Sequence, residues 1–206
     1  MVELQLRARG ISDERVLDAF ARVPRHEFVA AKFRPHAYED HPIPIGQDQT
    51  ISQPYIVAST LQALAVQPQD RVLDVGTGSG YQTALLAELA REVYSIERHE
   101  ELARNAEQTL LRLAYTNVKV FVGDGTEGIP EYAPYDAIAV AAAAPQVPLA
   151  LFAQLSEAGR MVIPVGPAHT QHLQRIQKVK GAAQVTILDA CRYVPLIGAQ
   201  GYSGGW

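Results

Sequence analysis

Cysteine is almost absent from this chain, and its scarcity excludes several kinds of site. Cys191 is the single cysteine in 206 residues, so no internal disulfide can form, and neither Cys nor His has the spacing of a zinc site. Long apolar runs are lacking too: stretch 137–145 is among the longest, far below the ~20 residues that cross a bilayer. Residues 1–10 also lack the apolar region of a signal peptide. We therefore expect a cytoplasmic protein without a membrane-spanning segment or a metal ion.

A large excess of either charge is also missing. The chain has 18 Lys and Arg against 22 Asp and Glu, a net charge of -4, so it lacks the positive field that attracts a phosphate backbone. We expect no nucleic-acid partner. A hydrophobic fraction of 48% is ordinary for a globular protein. We expect one domain over 1–206, with helices and a loop in 1–65 and the sheet in 66–206.

Short strands and helices alternate through the middle of the chain. Apolar runs typical of strands lie at 71–76, 92–97, 118–124, 135–143 and 159–166. Helical patterns lie at 55–66, 80–90, 100–113 and 147–155. This alternation predicts an α/β fold with a doubly wound, mostly parallel sheet. The β-like runs within 172–197 predict an antiparallel hairpin at the sheet edge.

The N-terminal part follows a different pattern. Residues 11–23 carry apolar positions at helical spacing, and Ser12 precedes two acidic residues, which predicts a capped amphipathic helix. A second short helical segment at 27–33 is expected to end at Pro35. Segment 42–55 is polar, contains several prolines and shows no helical or strand period over its length. We therefore expect an irregular loop there.

A glycine-rich turn follows the first core strand. Gly76, Gly78 and Gly80 stand between a strand and a helix, where glycine lets the backbone approach a ligand closely. A dinucleotide fingerprint would need its third glycine at Tyr81, and the Gly-Lys-Ser/Thr of a phosphate loop is absent. The turn alone could be structural, but its context disfavours both NAD and ATP.

Residues 73–80, LDVGTGSG, resemble the first motif of class I methyltransferases that use S-adenosyl-L-methionine (SAM). This resemblance implies Ser79 and the three glycines at the cofactor, with Asp74 near its sulfonium. Glu97 ends the next strand, where a carboxylate can accept hydrogen bonds from both ribose hydroxyls. Asp124 and Gly125 end the third strand, where they suit the adenine ring. Alternatives without a ligand stay open: Glu97 could be a solvated acid at the end of its strand, and Asp124 with Gly125 could form an ordinary Asp-Gly turn.

More specific segments then follow one another in a family's order. They are 37–46, 49–58, 72–84, 123–125, 133–148, 159–166 and 192–196. Together they resemble the protein-L-isoaspartate O-methyltransferase family, and TISQP within 49–58 is its most diagnostic part. The run VAAAAP after the fourth strand replaces the Asn/Asp-Pro-Pro run of base-modifying methyltransferases. The resemblance implies a Rossmann-like SAM methyltransferase fold.

The resemblance also implies an activity. Methyl transfer from SAM, with S-adenosyl-L-homocysteine as product, would modify the free α-carboxylate of L-isoaspartyl residues, and D-aspartyl residues in some members. Damaged peptides and proteins would be the partners of a monomeric enzyme. The family pattern marks Ser52 as the active-site residue and places Gln49, Thr50 and Ile51 at the cofactor. Ser52 could also cap the helix near Pro54.

Two positions depart from the family's usual pattern. Asp48 stands where glycine is common and adds a negative charge near an anionic substrate; Ala141 often has threonine in its place. Three alternatives stay open: a SAM methyltransferase with another carboxyl substrate, a noncatalytic SAM-binding protein, and an NAD-dependent dehydrogenase, which Tyr81 disfavours.

Overall fold

A computed structural model describes residues 1–204, and short helical turns open the chain. Val2–Leu6 form a π-helical turn and Arg7–Arg9 a 3-10 turn before helix α1, Glu14–Arg22. The helix cap is Asp13, whose side chain accepts hydrogen bonds from the backbone N–H groups at 15 and 16. The expectation of Ser12 as cap is therefore wrong, because the helix begins at Glu14 and the residue directly before it is Asp13.

The second predicted helical segment is two 3-10 turns, Arg25–Phe28 and Ala31–His36. Pro35 lies inside the second turn, so the prediction that it ends the segment is wrong. A short 3-10 turn tolerates the missing N–H of proline because it contains few internal hydrogen bonds.

Segment 42–55 contains a small β-hairpin rather than an irregular loop throughout. Strand β1, Ile43–Gly46, pairs antiparallel with β2, Gln49–Ile51. Gln47 and Asp48 form the turn with φ of 53° and 55°, the conformation of the two-residue turns that favour glycine and asparagine. Strands of three and four residues are too short to show a period, which is why the sequence did not reveal them.

The predicted alternation of strands and helices is confirmed. Helix α2 is Pro54–Leu64, α3 is Tyr81–Leu89, α4 is Glu100–Arg112 and α5 is Leu149–Ala153. The parallel strands are β3 (Arg71–Val75), β4 (Glu92–Glu97), β5 (Val118–Val122), β6 (Tyr135–Val140) and β7 (Leu155–Val165). Two further strands, β8 (Gln171–Val179) and β9 (Ala182–Cys191), form the predicted antiparallel edge hairpin.

The seven strands form one sheet in the order β5-β4-β3-β6-β7-β8-β9. Successive residues of a strand point to opposite faces, so each central strand supplies two cores. Val72 packs with residues of α1, α2 and α3, whereas Leu73 packs on the other face with Leu151 of α5. Because β3 and β6 lie in the middle of the sheet and chain connections diverge on either side, their carboxyl ends form the crevice where such folds bind ligands.

Candidate active site

A cleft lies at the carboxyl ends of the parallel strands, where open α/β sheets bind ligands. The hairpin β1–β2, the glycine turn, the end of β4 and the C-terminal tail surround it. Its predicted lining residues are Gln49, Thr50, Ile51, Ser52, Gly76, Gly78, Ser79, Glu97 and Gly125. Three other predicted contacts, Asp74, Gly80 and Asp124, do not line the cleft.

The glycine turn has left-handed backbone at its three glycines, with φ of 94°, 53° and 90° at Gly76, Gly78 and Gly80. A Cβ on Gly78 would lie 3.3 Å from Ile45 of the hairpin, so glycine lets the hairpin close over the turn. Gly80 instead begins α3 and faces Ala106, which a Cβ would approach to 3.2 Å. Gly80 therefore lets α3 pack closely on α4, and its contact with the cofactor stays a prediction.

Asp74 is fully buried behind the cleft. Its carboxylate accepts hydrogen bonds from Gln82 Nε2 at 2.9 Å, Thr83 Oγ1 at 2.6 Å and Ser95 Oγ at 2.9 Å. Burial raises the pKa of Asp74, while these three donors oppose the rise. Gln82 lines the cleft, so Asp74 holds the amide of a lining residue in place. A place for Asp74 near the cofactor stays a prediction.

Glu97, only 6% exposed, holds the floor of the cleft in place. One carboxylate oxygen accepts from the Gly78 N–H at 2.9 Å and the other from the His99 N–H at 3.0 Å. A carboxylate has further lone pairs on both oxygens. Glu97 can therefore support the glycine turn and still accept hydrogen bonds from a ligand hydroxyl.

Asp124 binds the C-terminal tail rather than facing the cleft. Its carboxylate accepts from the backbone and hydroxyl of Thr126, at 2.8 and 2.7 Å, and from the Ala199 N–H at 2.7 Å. Burial alone would raise the pKa of Asp124, but these hydrogen bonds hold it below its usual value. Gly125 does reach the cleft, and a Cβ there would lie 2.7 Å from Val75. The contact of Asp124 with the cofactor stays a prediction.

Ser52 lies where two cavities meet. It lines the strand-end cleft and also a wider groove bounded by the hairpin turn, Arg98 and residues 190–195. The hydroxyl of Ser52 has no hydrogen-bond partner within residues 1–204, while its backbone carbonyl accepts from Arg25 Nη2 at 2.8 Å. Gln53, not Ser52, is the N-cap of α2. The helix-capping alternative for Ser52 therefore does not hold, and its hydroxyl is available to a ligand.

The groove also contains the two departures from the family pattern. Asp48 lies at its rim, and Ala141 lines both the groove and the cleft. Two cations, Arg98 and Arg192, line the groove without an ion pair to any residue that the structure describes. An anionic segment of extended chain would thus meet positive charge near Ser52 and one negative charge at Asp48.

Several lining residues lie beyond the sequence predictions. They are Val57, Val75, Thr77, Tyr81, Gln82, Ile96, Arg98, His99 and Ala142. Most of them are next in sequence to a predicted residue, so the strand-end motifs are the sequence signal that could have identified them. The tail segment 194–197 also lines the cleft.

Residues 1–204 lack the features of a metal site and of a membrane span. No group of three side chains there could hold a metal ion. No helix in the same part of the chain is long and apolar enough to span a membrane.

The site has the features that an adenosyl amino acid requires. Backbone N–H groups and glycine before α3 can approach the polar atoms of a ligand closely. The carboxylate of Glu97 can accept hydrogen bonds from ligand hydroxyls, and the side chains of Ile96 and Leu196 form apolar walls. Gly125 leaves space that a Cβ would fill. Fold and cleft together define the class of doubly wound α/β proteins that bind an adenosyl cofactor at strand ends.

Comparison with known proteins identifies the family within this class. The sequence profile of the protein-L-isoaspartate(D-aspartate) O-methyltransferase (PCMT) family matches residues 1–201. A protein-L-isoaspartate O-methyltransferase of Koribacter versatilis is 59% identical, covering 98% of this chain and 91% of its own length. One from Methanoculleus marisnigri is 52% identical over 99% of this chain and 93% of its own. The chain belongs to the protein-L-isoaspartate O-methyltransferase family.

Solved structures agree with this assignment. A protein-L-isoaspartate O-methyltransferase structure superposes with a TM-score of 0.87 and 29% identity, over 98% of this chain and 67% of that one. A β-aspartate methyltransferase from Plasmodium falciparum, in complex with S-adenosyl-L-homocysteine, superposes with a TM-score of 0.82 and 28% identity. That match covers 93% of this chain and 94% of the other.

Proposed function

We propose that this protein is a repair enzyme that methylates the free α-carboxylate of L-isoaspartyl residues in damaged proteins, using SAM and releasing S-adenosyl-L-homocysteine. The ester product closes to a succinimide, which opens partly to normal aspartate. The observation that carries the proposal is the position of Ser52, with its free hydroxyl, at the junction of the strand-end cleft and the wider groove beside it.

The chain's own residues suit SAM in the cleft. The turn at Gly76, Gly78 and Ser79 would receive the amino acid part, Glu97 the ribose, and Gly125 the adenine. Gln49, Thr50 and Ile51 would cover the cofactor from the hairpin. When bound, the cofactor supplies a methyl group on a sulfonium that leaves as a neutral thioether.

Positioning is the main chemical demand on the protein. A carboxylate is ionised at neutral pH, so it needs no general base before its oxygen attacks a methyl carbon. The Ser52 hydroxyl can donate to one carboxylate oxygen and leave the other directed at the cleft. Holding two reactants in line can lower a barrier by about 7 kcal/mol or more. Ser52 therefore acts as an orienting hydrogen-bond donor and forms no covalent intermediate.

The proposal extends to the setting of the enzyme. We propose a monomer with one functional domain, acting in the cytoplasm on isoaspartyl peptides and proteins, with D-aspartyl residues as a possible second substrate class. Neither a nucleic-acid nor a membrane partner is part of the proposal, since the chain has a net charge of -4.

The decisive experiment uses two peptides that differ only in one aspartyl linkage. Incubation with labelled SAM should label the isoaspartyl peptide and leave its normal aspartyl twin unlabelled. Equal labelling of both would indicate another carboxyl substrate, and labelling of neither would indicate a noncatalytic protein. A peptide with D-aspartate at the same position measures the second substrate class.

Ser52→Ala tests the orienting role directly. A hydrogen bond to a charged acceptor contributes about 1.5–3 kcal/mol, so kcat should fall roughly 10- to 100-fold while the Kd for SAM changes less than about twofold. Ser59→Ala, which removes a hydroxyl from the α2 surface bonded to Asp189, is the matched control and should leave both values unchanged. A large loss of SAM affinity in Ser52→Ala would instead assign the hydroxyl to the cofactor.

A further inference from the structure

One arginine is completely buried beneath the active-site hairpin. Arg25 has 0% exposure. Its Nε donates to the Ala37 carbonyl at 2.8 Å and its Nη2 to the Ser52 carbonyl, also at 2.8 Å. No carboxylate within residues 1–204 forms an ion pair with it, and Nη1 has no hydrogen-bond partner there. The guanidinium thus joins two backbone segments that are 15 residues apart, with Ser52 as one of them.

The same guanidinium also contacts the wall of the cleft. Its central carbon lies 4.7 Å from the centroid of the Tyr81 ring, in cation-π geometry. Tyr81 is the first residue of α3 and lines the cleft, and its ring packs edge-on against Phe20 and Phe28. Arg25 therefore rests on a rigid aromatic cluster, and the Ser52 carbonyl is tied to that cluster through it.

Burying an unpaired guanidinium is costly, because a charge loses its hydration. Burial accordingly lowers the pKa of Arg25. An apolar side chain would fill the same space at less cost, but it could not hold the Ser52 carbonyl. The bond to Ser52 is thus a specific result of having arginine at this position.

A second group fixes the chain just after Ser52. Asp40 accepts from the Tyr55 N–H at 3.0 Å and from Gln53 Nε2 at 2.7 Å. The backbone that directly follows the Ser52 side chain is therefore held at two points by side chains from the preceding segment. The Ser52 hydroxyl takes no part in these bonds.

We propose that Arg25 is a positioning residue for the methyl-transfer reaction, which fixes the Ser52 peptide so that the hydroxyl faces the substrate carboxylate. This inference rests on the proposed function of Ser52. It predicts that Arg25 affects turnover through Ser52 alone and leaves SAM binding in place. If Arg25 served only core packing, its substitution would lower stability, SAM affinity and turnover to the same extent whether or not the Ser52 hydroxyl is present.

The matched control is another arginine that holds backbone carbonyls. Arg160 donates to the carbonyls of Leu64 and Ala65, at 2.8 and 3.2 Å, and pairs with Asp70 at the far end of α2. Arg160→Lys should lower the melting temperature much as Arg25→Lys does, without lowering kcat. Each protein is assayed well below its own melting temperature.

The test is a double-mutant cycle with Arg25→Lys, Ser52→Ala and the double variant. Lysine keeps the charge over Tyr81 but cannot bond both carbonyls in the same geometry. Arg25→Lys should lower kcat about 10-fold or more, because small misplacements of a reacting group are that costly, with the SAM Kd within about twofold. In the Ser52→Ala background the same change should have little further effect on kcat.

Each other outcome overturns a defined part of the argument. If Arg25→Lys lowers kcat by the same factor in both backgrounds, Arg25 does not act through Ser52, while the role of Ser52 stands. If Ser52→Ala leaves kcat unchanged, both the orienting role of Ser52 and this inference are wrong. Arg25→Gln, which keeps a neutral donor, goes through the same cycle if Arg25→Lys does not fold, with the same expected pattern.

Discussion

Three acidic residues at strand ends have three different environments, although their sequence positions suggest one shared task. Asp74 is enclosed by three donors behind the cleft, Glu97 faces the cleft, and Asp124 anchors the C-terminal tail. The sequence predicted which loops converge, because parallel strands end at one edge of a sheet. It could not predict which way each carboxylate turns, since donors such as Ser95 and Ala199 come from other elements.

Glu97 is the residue for which we expect the strongest effect on cofactor binding. Glu97→Ala removes the proposed ribose acceptor and also the bonds to the Gly78 and His99 N–H groups. At about 1.5–3 kcal/mol for each hydrogen bond to a charge, the Kd for SAM should rise at least about 10-fold. Calorimetric titration with SAM measures this Kd, with exposed Glu107→Ala of α4 as control. An unchanged Kd in Glu97→Ala would disprove the ribose assignment.

At the scale of elements, long periodic segments were predictable and the hairpin was not. Core strands such as β3 and β4 are short runs rich in β-branched and other apolar residues, which identify them without tertiary information. Strands β1 and β2 instead depend on tertiary packing: Ile43 and Ile51 are buried, and Ile45 reaches the glycine turn. Local pattern cannot contain that information, because the contacts join segments far apart in the chain.

Two substitutions in the turn of this hairpin distinguish the effect of its charge from the effect of its backbone conformation. Asp48→Asn removes the negative charge at the groove rim and keeps a residue that tolerates positive φ. KM for an isoaspartyl peptide should fall a few-fold, more at low salt than at high salt, because exposed charges are screened. Asp48→Gly should lower KM equally if charge alone matters. A lower KM in Asp48→Gly only would attribute the effect to turn conformation.

At the scale of the whole molecule, the cleft and a stabilising charged cluster lie at opposite ends of the sheet. The cleft occupies the carboxyl ends of the strands, whereas the amino ends of β3 and β4 carry a charged cluster. Arg71 Nε and Arg91 Nη2 pair with Glu92 at 2.8 and 2.9 Å, and the Tyr94 hydroxyl donates to the same carboxylate at 3.0 Å. Changes in this cluster should therefore alter stability without altering the site.

Glu92 makes the acid stability of the protein testable. The Arg71 hydrogen bond, ahead of those from Arg91 and Tyr94, lowers the pKa of Glu92 from 4.5 to about 2. Because the folded-state pKa lies below the unfolded one, the stabilisation is complete above about pH 5 and disappears as the pH falls toward 2. Glu92→Gln should lower the free energy of unfolding by about 1–2 kcal/mol at pH 7, allowing for solvent screening.

Urea denaturation of both proteins between pH 7 and pH 3 measures this difference. The two curves should approach each other as the pH falls, because Glu92 of the unfolded chain takes up a proton below about pH 5 while the folded state, with its pKa of about 2, still holds the charge. Glu107→Gln, on the exposed face of α4, should match the wild type throughout. A gap between wild type and Glu92→Gln that stayed constant with pH would show that packing, rather than the carboxylate charge, stabilises the amino end of the sheet. Turnover at pH 7 should be equal in all three proteins, since the cluster lies at the end of the sheet opposite the cleft.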